Sequence, residues 1–304
     1  MADQTAVVLT DRDLEVFVSL LQYRYLSTPQ LCRLHFPSMQ TTTRRARLLA
    51  NSGYLTTFRA PATQDRLVAL ASRGAEAVAI HLNVPLQELD WDSRRSRPKD
   101  TLFLRHFLAA SDFRITLTLA CAMSGDVRML GFLPEHVVEP APRGAVRKYI
   151  RDVIADIQDH RRRITHAPDG VFALQHQERC GLFFLEIDRG TTVLSNPDRG
   201  VLKMVRFYLS AFHSDGYQRY REDFGVPGPF RGFRVLIVVP SEERLQNIRR
   251  LCGSIVFDPP STKRFIWLTT DDCLQDRELL TRRWVSLDPA DTVLRTIRPP
   301  ANAD

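Results

Sequence analysis

At 304 residues, 44% hydrophobic and 25% charged, the chain has apolar material for two cores and lacks the bias of a disordered protein. A formal charge of +7 favours a polyanionic partner. Five scattered cysteines with no CxxC pair argue against a disulfide framework and a cysteine-rich zinc site, and point to a reducing cytoplasm.

The first residues lack the basic-then-apolar layout of a leader. No uninterrupted apolar stretch is long enough to span a bilayer. The expectation is a soluble, cytoplasmic protein with no membrane partner. Thr10, three residues before Asp13, opens a helix to about Tyr25 with Leu14, Phe17, Val18 and Leu21 at helical spacing. Ser27 or Thr28 caps a second short helix with Pro29 in its first turn, ending before Phe36-Pro37. Ser38 caps a third, over 39–51, with Gly53 as its stop. Residues 54–59 and 66–70 read as a β-hairpin around the break at 60–62, and a helix follows over 75–81. Three short helices and then a hairpin is the order of a winged helix-turn-helix, assigned to residues 8–84.

The third helix carries the DNA-reading chemistry. With Thr42, Ala46 and Leu49 inward, its other stripe is Gln40, Thr41, Thr43, Arg44 and Arg47, with Arg45 completing the arginine run. Gln suits an adenine edge, Arg a guanine, and Thr a phosphate or thymine methyl. Arg59, Gln64 and Arg66 are candidate wing contacts to the backbone of double-stranded DNA.

The polar, proline-flanked stretch 85–100 reads as a linker. The second domain, 101–297, begins with a helix over 102–123, then extended chain over 127–138 and a short strand over 170–174. A buried strand over 182–188, a helix over 201–212, a strand over 233–239, a helix over 242–252 and a strand over 264–269 complete it. That series predicts a mixed sheet flanked by helices, so the fold class is α/β (α+β). His106 and Asp112 lie six apart, poorly aligned for a metal pair, and the run Asp159 to Arg163 is either a solvated basic segment or a DNA-tracking one.

Asp169 opens one strand of this domain and Glu186-Ile187-Asp188 closes the next. If the strands are neighbours, Asp169 and Glu186 lie at adjacent ends, and the period of two puts Asp188 on the face of Glu186. Converging carboxylates suit Mg²⁺ or Mn²⁺, held by Asp169 and Glu186. Such an ion could activate water for phosphodiester cleavage, with Arg189 and Lys203 near the phosphate. The bland alternative is a strand end with Arg189 as ion-pair partner.

The run Pro168-Asp169 … Phe184-Leu185-Glu186-Ile187-Asp188-Arg189-Gly190-Thr191 … Lys203, behind a segment beginning Leu9-Thr10-Asp11-Arg12-Asp13, resembles the replication-relaxation family of plasmid and mobile-element proteins. Its Pro-Asp … Glu-x-Asp portion also looks like the PD-(D/E)XK nucleases. The resemblance implies a nuclease-like second domain with Asp169, Glu186, Asp188 and Lys203 as its catalytic candidates. It also implies a role in replication or mobilisation beside proteins of those processes, and a homodimer would suit paired half-sites. The nuclease pattern places lysine where this chain has Asp188. Lys203 from the next helix replaces it in a metal-dependent DNA endonuclease; otherwise the domain is a non-catalytic regulator's or assembly factor's platform for dimerisation or protein binding. There is no GxxxxGK phosphate loop and no His-x-His pair of the relaxase type.

Overall fold

The computed structural model describes residues 7–59, 63, 65–93, 101–142, 145–191, 194, 196, 199–253 and 264–300. Gln64 and the turn at 60–62 lie outside the described residues. The chain forms two compact units, Met1–Ile115 and Thr116–Asp304.

In the first unit, α1 (Asp11–Tyr23) starts at a capping box. The Thr10 hydroxyl accepts from the Asp13 N–H at 3.4 Å, and the Asp13 carboxylate accepts from the Thr10 N–H at 2.7 Å. The helix buries Val16, Phe17 and Leu20. It stops two residues sooner than expected because Arg24 takes φ 71°, and a three-residue strand, β1 (Tyr25–Ser27), follows. Ser27 and Gln30 form a second capping box for α2 (Thr28–His35). Ser38 caps α3 (Met39–Asn51), which buries Thr42, Ala46 and Leu49. The strands β2 (Leu55–Arg59) and β3 (Arg66–Leu70) pair antiparallel, β1 adds to the other edge of β3, and α4 (Ser72–Leu82) follows.

The helix α5 (Thr101–Ser124) was expected to open the second domain, yet the division between units falls inside it. Its first half completes the first unit. Leu104 packs with Tyr25, Leu67 and Ala69, Gln30 donates to the Leu108 carbonyl at 2.9 Å, and Arg33 pairs with Asp112 at 2.9 Å. By length and hydropathy its segment Phe103–Ser124 matches a membrane span, contrary to the expectation that none would. Packing on a core and charged side chains in ion pairs are the traits of a buried helix in a globular unit.

The second unit is a six-stranded mixed sheet. The strands β4 (Val127–Pro134), β9 (Gly170–His176) and β10 (Arg179–Ile187) form an antiparallel meander. After α6 (Gly200–His213) and the short α7 (Tyr220–Asp223), β11 (Phe233–Val239) pairs parallel to β10. The helix α8 (Glu242–Gly253) leads to β12 (Ile266–Thr270), parallel to β11, and β13 (Val285–Ser286) closes the edge. Two small hairpins, β5 (Val138–Pro140) with β6 (Val146–Lys148) and β7 (Asp152–Ala155) with β8 (Arg163–His166), interrupt the run between β4 and β9. One face of the sheet (Val171, Leu182, Phe184, Val235, Ile237) packs against Val205 and Tyr208 of α6, the main core of this unit. The mixed α/β architecture expected from the alternation of apolar runs is the one observed.

Candidate functional site

Two sets of residues are candidates for function, one in each unit. On α3, burial of Thr42, Ala46 and Leu49 leaves Gln40, Thr41, Thr43, Arg44 and Arg47 exposed along one stripe. Ser38 caps the helix and its hydroxyl lies 3.0 Å from that of Thr41. Arg45 points elsewhere. Its Nε donates to Asp13 Oδ1 at 2.8 Å, its Nη2 bonds Asp13 Oδ2, and the same Nη2 donates to the Val8 carbonyl at 3.0 Å. Arg45 thus ties α3 to the start of α1. On the hairpin, Arg59 and Arg66 are exposed and directly opposed across the strands. Like charges in that arrangement repel; Arg66 is steadied by a 3.2 Å bond to the Thr57 hydroxyl.

In the second unit the ends of β9 and β10 bring carboxylates together. Asp169 lies one step beyond the Leu185–Gly170 pair, which sets it beside Glu186. Its Oδ2 accepts from the Ile187 N–H at 2.7 Å, and its own N–H donates to the Leu185 carbonyl. Glu186 Oε1 lies 2.6 Å from His166 Nε2 and accepts from the Tyr208 hydroxyl. His166 ends β8, and its ring packs against Phe207 and Tyr208 of α6 at centroid distances of 5.2 and 5.5 Å. Lys203, one and a half turns earlier on α6, is close enough for its charge to act on His166. Asp188 does not join this group. It accepts from the Gly190 N–H at 2.8 Å and pairs with Arg244 of α8 at 2.8 Å, while Arg189, its expected partner in the bland reading, is exposed.

Electrostatics follow from burial. Desolvation pushes the Glu186 carboxyl up, the Asp169 charge adds to that, and His166 and Tyr208 oppose it. Burial works against a charge on His166, but the Glu186 charge and hydrogen bond, with Asp169 beyond, raise its pKa nonetheless. The charge on each group therefore acts on the proton affinity of the other. Burial and the neighbouring carboxylate hold Tyr208 well above the ordinary phenol value, so it stays a donor.

A Mg²⁺ or Mn²⁺ ion takes several oxygen ligands; here Glu186 Oε1 is engaged by His166 and Tyr208 and Asp169 Oδ2 by a backbone N–H, so an ion held by both carboxylates would draw on their other oxygens. Among the described residues, no three His, Cys, Asp or Glu side chains are placed to share an ion. The arrangement can hold a proton and clamp β8, β10 and α6 together.

Sequence reasoning passed over His166 and Tyr208. His166 stands three residues before Asp169 and could have been weighed as its neighbour; nothing local marks Tyr208, whose role comes from α6 lying across β10. Arg244 was equally invisible, 56 residues from Asp188. A family model described as replication-relaxation matches residues 17–226. No curated protein and no solved structure matches.

Proposed function

The chain belongs to the replication-relaxation family, and we propose that it is a DNA-binding protein that reads a duplex site with α3. The family points to a role in plasmid or mobile-element replication or mobilisation. The observation that carries the reading is the exposed stripe Gln40, Thr41, Thr43, Arg44 and Arg47, opposite the buried Thr42, Ala46 and Leu49. A helix enters the major groove with base-reading side chains along such a stripe. In this reading the first unit is a winged helix-turn-helix, and the hairpin is its wing. Phosphates relieve the repulsion between Arg59 and Arg66 and fix the register. The protein acts in the cytoplasm, and a homodimer would offer two copies of α3 to paired half-sites.

We read the second unit, whose elements run helix, meander, helix, parallel strand, as a PD-(D/E)XK-like domain that does not cleave. Glu186 is engaged by His166 and Tyr208, and Asp188, at the position where the nuclease pattern has lysine, is neutralised by Arg244. The unit then serves as a platform for replication or mobilisation proteins.

Selection from a randomised duplex library, then gel-shift titration at fixed salt, tests the first part. A preferred sequence whose affinity falls in Arg44→Ala supports it; no preference, or unchanged affinity in the variant, sinks it. Supercoiled plasmid incubated with Mg²⁺, Mn²⁺ or EDTA tests the second part. Intact DNA is expected, and metal-dependent cutting that vanishes in Glu186→Ala would reinstate a nuclease.

A further inference from the structure

The β7–β8 hairpin of the second unit sorts its charges. Its acids are spent on neighbours within the unit. Asp152 pairs with Arg219 and accepts from the Tyr220 hydroxyl, both at 3.1 Å, and the fully buried Asp156 accepts from Arg206 Nε of α6 at 2.8 Å. Its free cations turn outward. Arg151, Arg161 and Arg163 are exposed, and none has a side-chain hydrogen bond or ion pair among the described residues. Register explains Arg163. It stands opposite Ala155, one step from the Ile154–Ile164 pair that packs into the core, and so shares the other face with Val153 and Thr165. The β5–β6 hairpin is built differently, with Arg147 paired to Glu139 at 2.7 Å and Lys148 paired to Glu135. Surfaces commonly intersperse the two signs in that way, whereas one that leaves only cations free attracts a polyanion.

The tip of the hairpin is also pre-formed. Asp159, its one acid, caps the turn: its Oδ1 accepts from the Arg161 N–H at 3.1 Å and its carbonyl from the Arg162 N–H at 2.8 Å. The Arg162 carbonyl accepts from the Asp156 N–H at 2.9 Å, and the Ile157 N–H donates to the Ser210 hydroxyl of α6 at 3.0 Å. A loop tied at these points has little backbone freedom to lose when it binds, which lowers the cost of a contact.

We propose that the β7–β8 hairpin holds the phosphate backbone of duplex DNA without reading its sequence, through Arg161 and Arg163, with Arg151 adding to the field. Phosphate contacts fix a protein on DNA and carry no base information. A single strand is the poorer match, because such strands are held by stacking on aromatic rings, and the segment 151–166 contains no Phe, Tyr or Trp. The proposal rests on the reading of the chain as a DNA-binding protein and uses a surface other than α3.

The test is titration of the full-length protein with a fluorescent duplex of random sequence, read by anisotropy over a series of salt concentrations. The duplex preferred by α3 and a single strand of the same length are titrated alongside. Arg161→Ala/Arg163→Ala is expected to weaken both duplexes about tenfold, leave their ratio unchanged, and lower the slope of log affinity against log salt by about two. Arg161→Lys/Arg163→Lys keeps the charges and should bind within a few-fold of wild type. Arg147→Ala/Lys148→Ala removes the same charge from the balanced hairpin and should change affinity by less than about twofold. All four positions are exposed, and circular dichroism checks that each variant is folded. A wild type with no sequence preference but the same hairpin effect would sink only the reading of α3. The proposal itself is overturned by no duplex binding, or by affinity and slope unchanged in Arg161→Ala/Arg163→Ala. An equal loss in Arg147→Ala/Lys148→Ala, or a greater loss for the single strand than for the duplex, overturns it as well.

Discussion

Replacing Arg45 by methionine separates structural arginines on α3 from DNA-reading ones. The change keeps the aliphatic stem and removes the guanidinium that bonds Asp13 through both oxygens. Asp13 is 1% exposed and keeps only its Thr10 bonds. Removing one partner of a buried pair costs about 3–5 kcal/mol. Because the Arg45 side chain is 24% exposed, water compensates part of that and roughly 2 kcal/mol remains. For a unit of this size, that lowers the unfolding temperature by roughly 10 °C.

The effect carries a pH signature. Burial alone would raise the Asp13 carboxyl, but the Arg45 and Thr10 hydrogen bonds outweigh it and hold the pKa below the usual carboxylate value. Ionised Asp13 therefore favours folding above its unfolded pKa, a contribution lost as pH falls through the lower folded value. Thermal unfolding followed by circular dichroism at pH 7 and again at acid pH should show a large gap between wild type and Arg45→Met at pH 7 that narrows as pH falls below the ordinary carboxylate range. Gel shifts at low temperature, where both remain folded, should agree within a few-fold. An unchanged unfolding temperature together with lost DNA affinity would refute the structural role and return Arg45 to the groove-facing stripe.

Arg47→Ala should weaken duplex binding and, if Arg47 meets a phosphate, lower the slope of log affinity against log salt by about one. Glu186→Gln removes the largest charge that raises the His166 pKa; an imidazole titration by NMR should shift down, with Asp169 left to oppose burial. A value that stays raised would mean another group supplies the charge. Gly170→Ala should destabilise the second unit by about 1–3 kcal/mol, since its new methyl would meet the Phe132 ring at 2.5 Å; chemical denaturation that leaves the midpoint unmoved would contradict this.

The elements most legible in the sequence were those with a strong period or a continuous apolar run. The strands β10 and β11 announce themselves as Leu-Phe-Phe-Leu and Val-Leu-Ile-Val-Val, and Thr10, Ser27 and Ser38 mark three helix starts. The small strands β1, β5, β6, β7 and β8 are three or four residues long, too short to show alternation, and are set by their partners. The exposed stripe of α3 followed from helical period alone, except at Arg45, where a capping residue on α1 lies within reach. The Asp169–Glu186 juxtaposition was readable from strand order. The rest of that cluster was not, because His166 and Tyr208 reach Glu186 across 20 and 22 residues of chain. The sequence likewise gives no warning that the first half of α5 belongs with the helices before it.

The parallel pairing of β10 with β11 also bears on the order of folding. The β9–β10 hairpin turns over two residues, Gln177 and Glu178, and closes early because its contacts are local. Leu182 meets Phe233 only after the whole stretch carrying α6 and α7 has crossed the sheet, a non-local contact of the kind that slows folding. Until then β10 presents an unpaired apolar edge, and Glu186, without Tyr208 over it, stays in water. Burial of the Glu186 carboxyl is therefore expected late in folding, with the Leu182–Leu185 edge open to other strands in the interval.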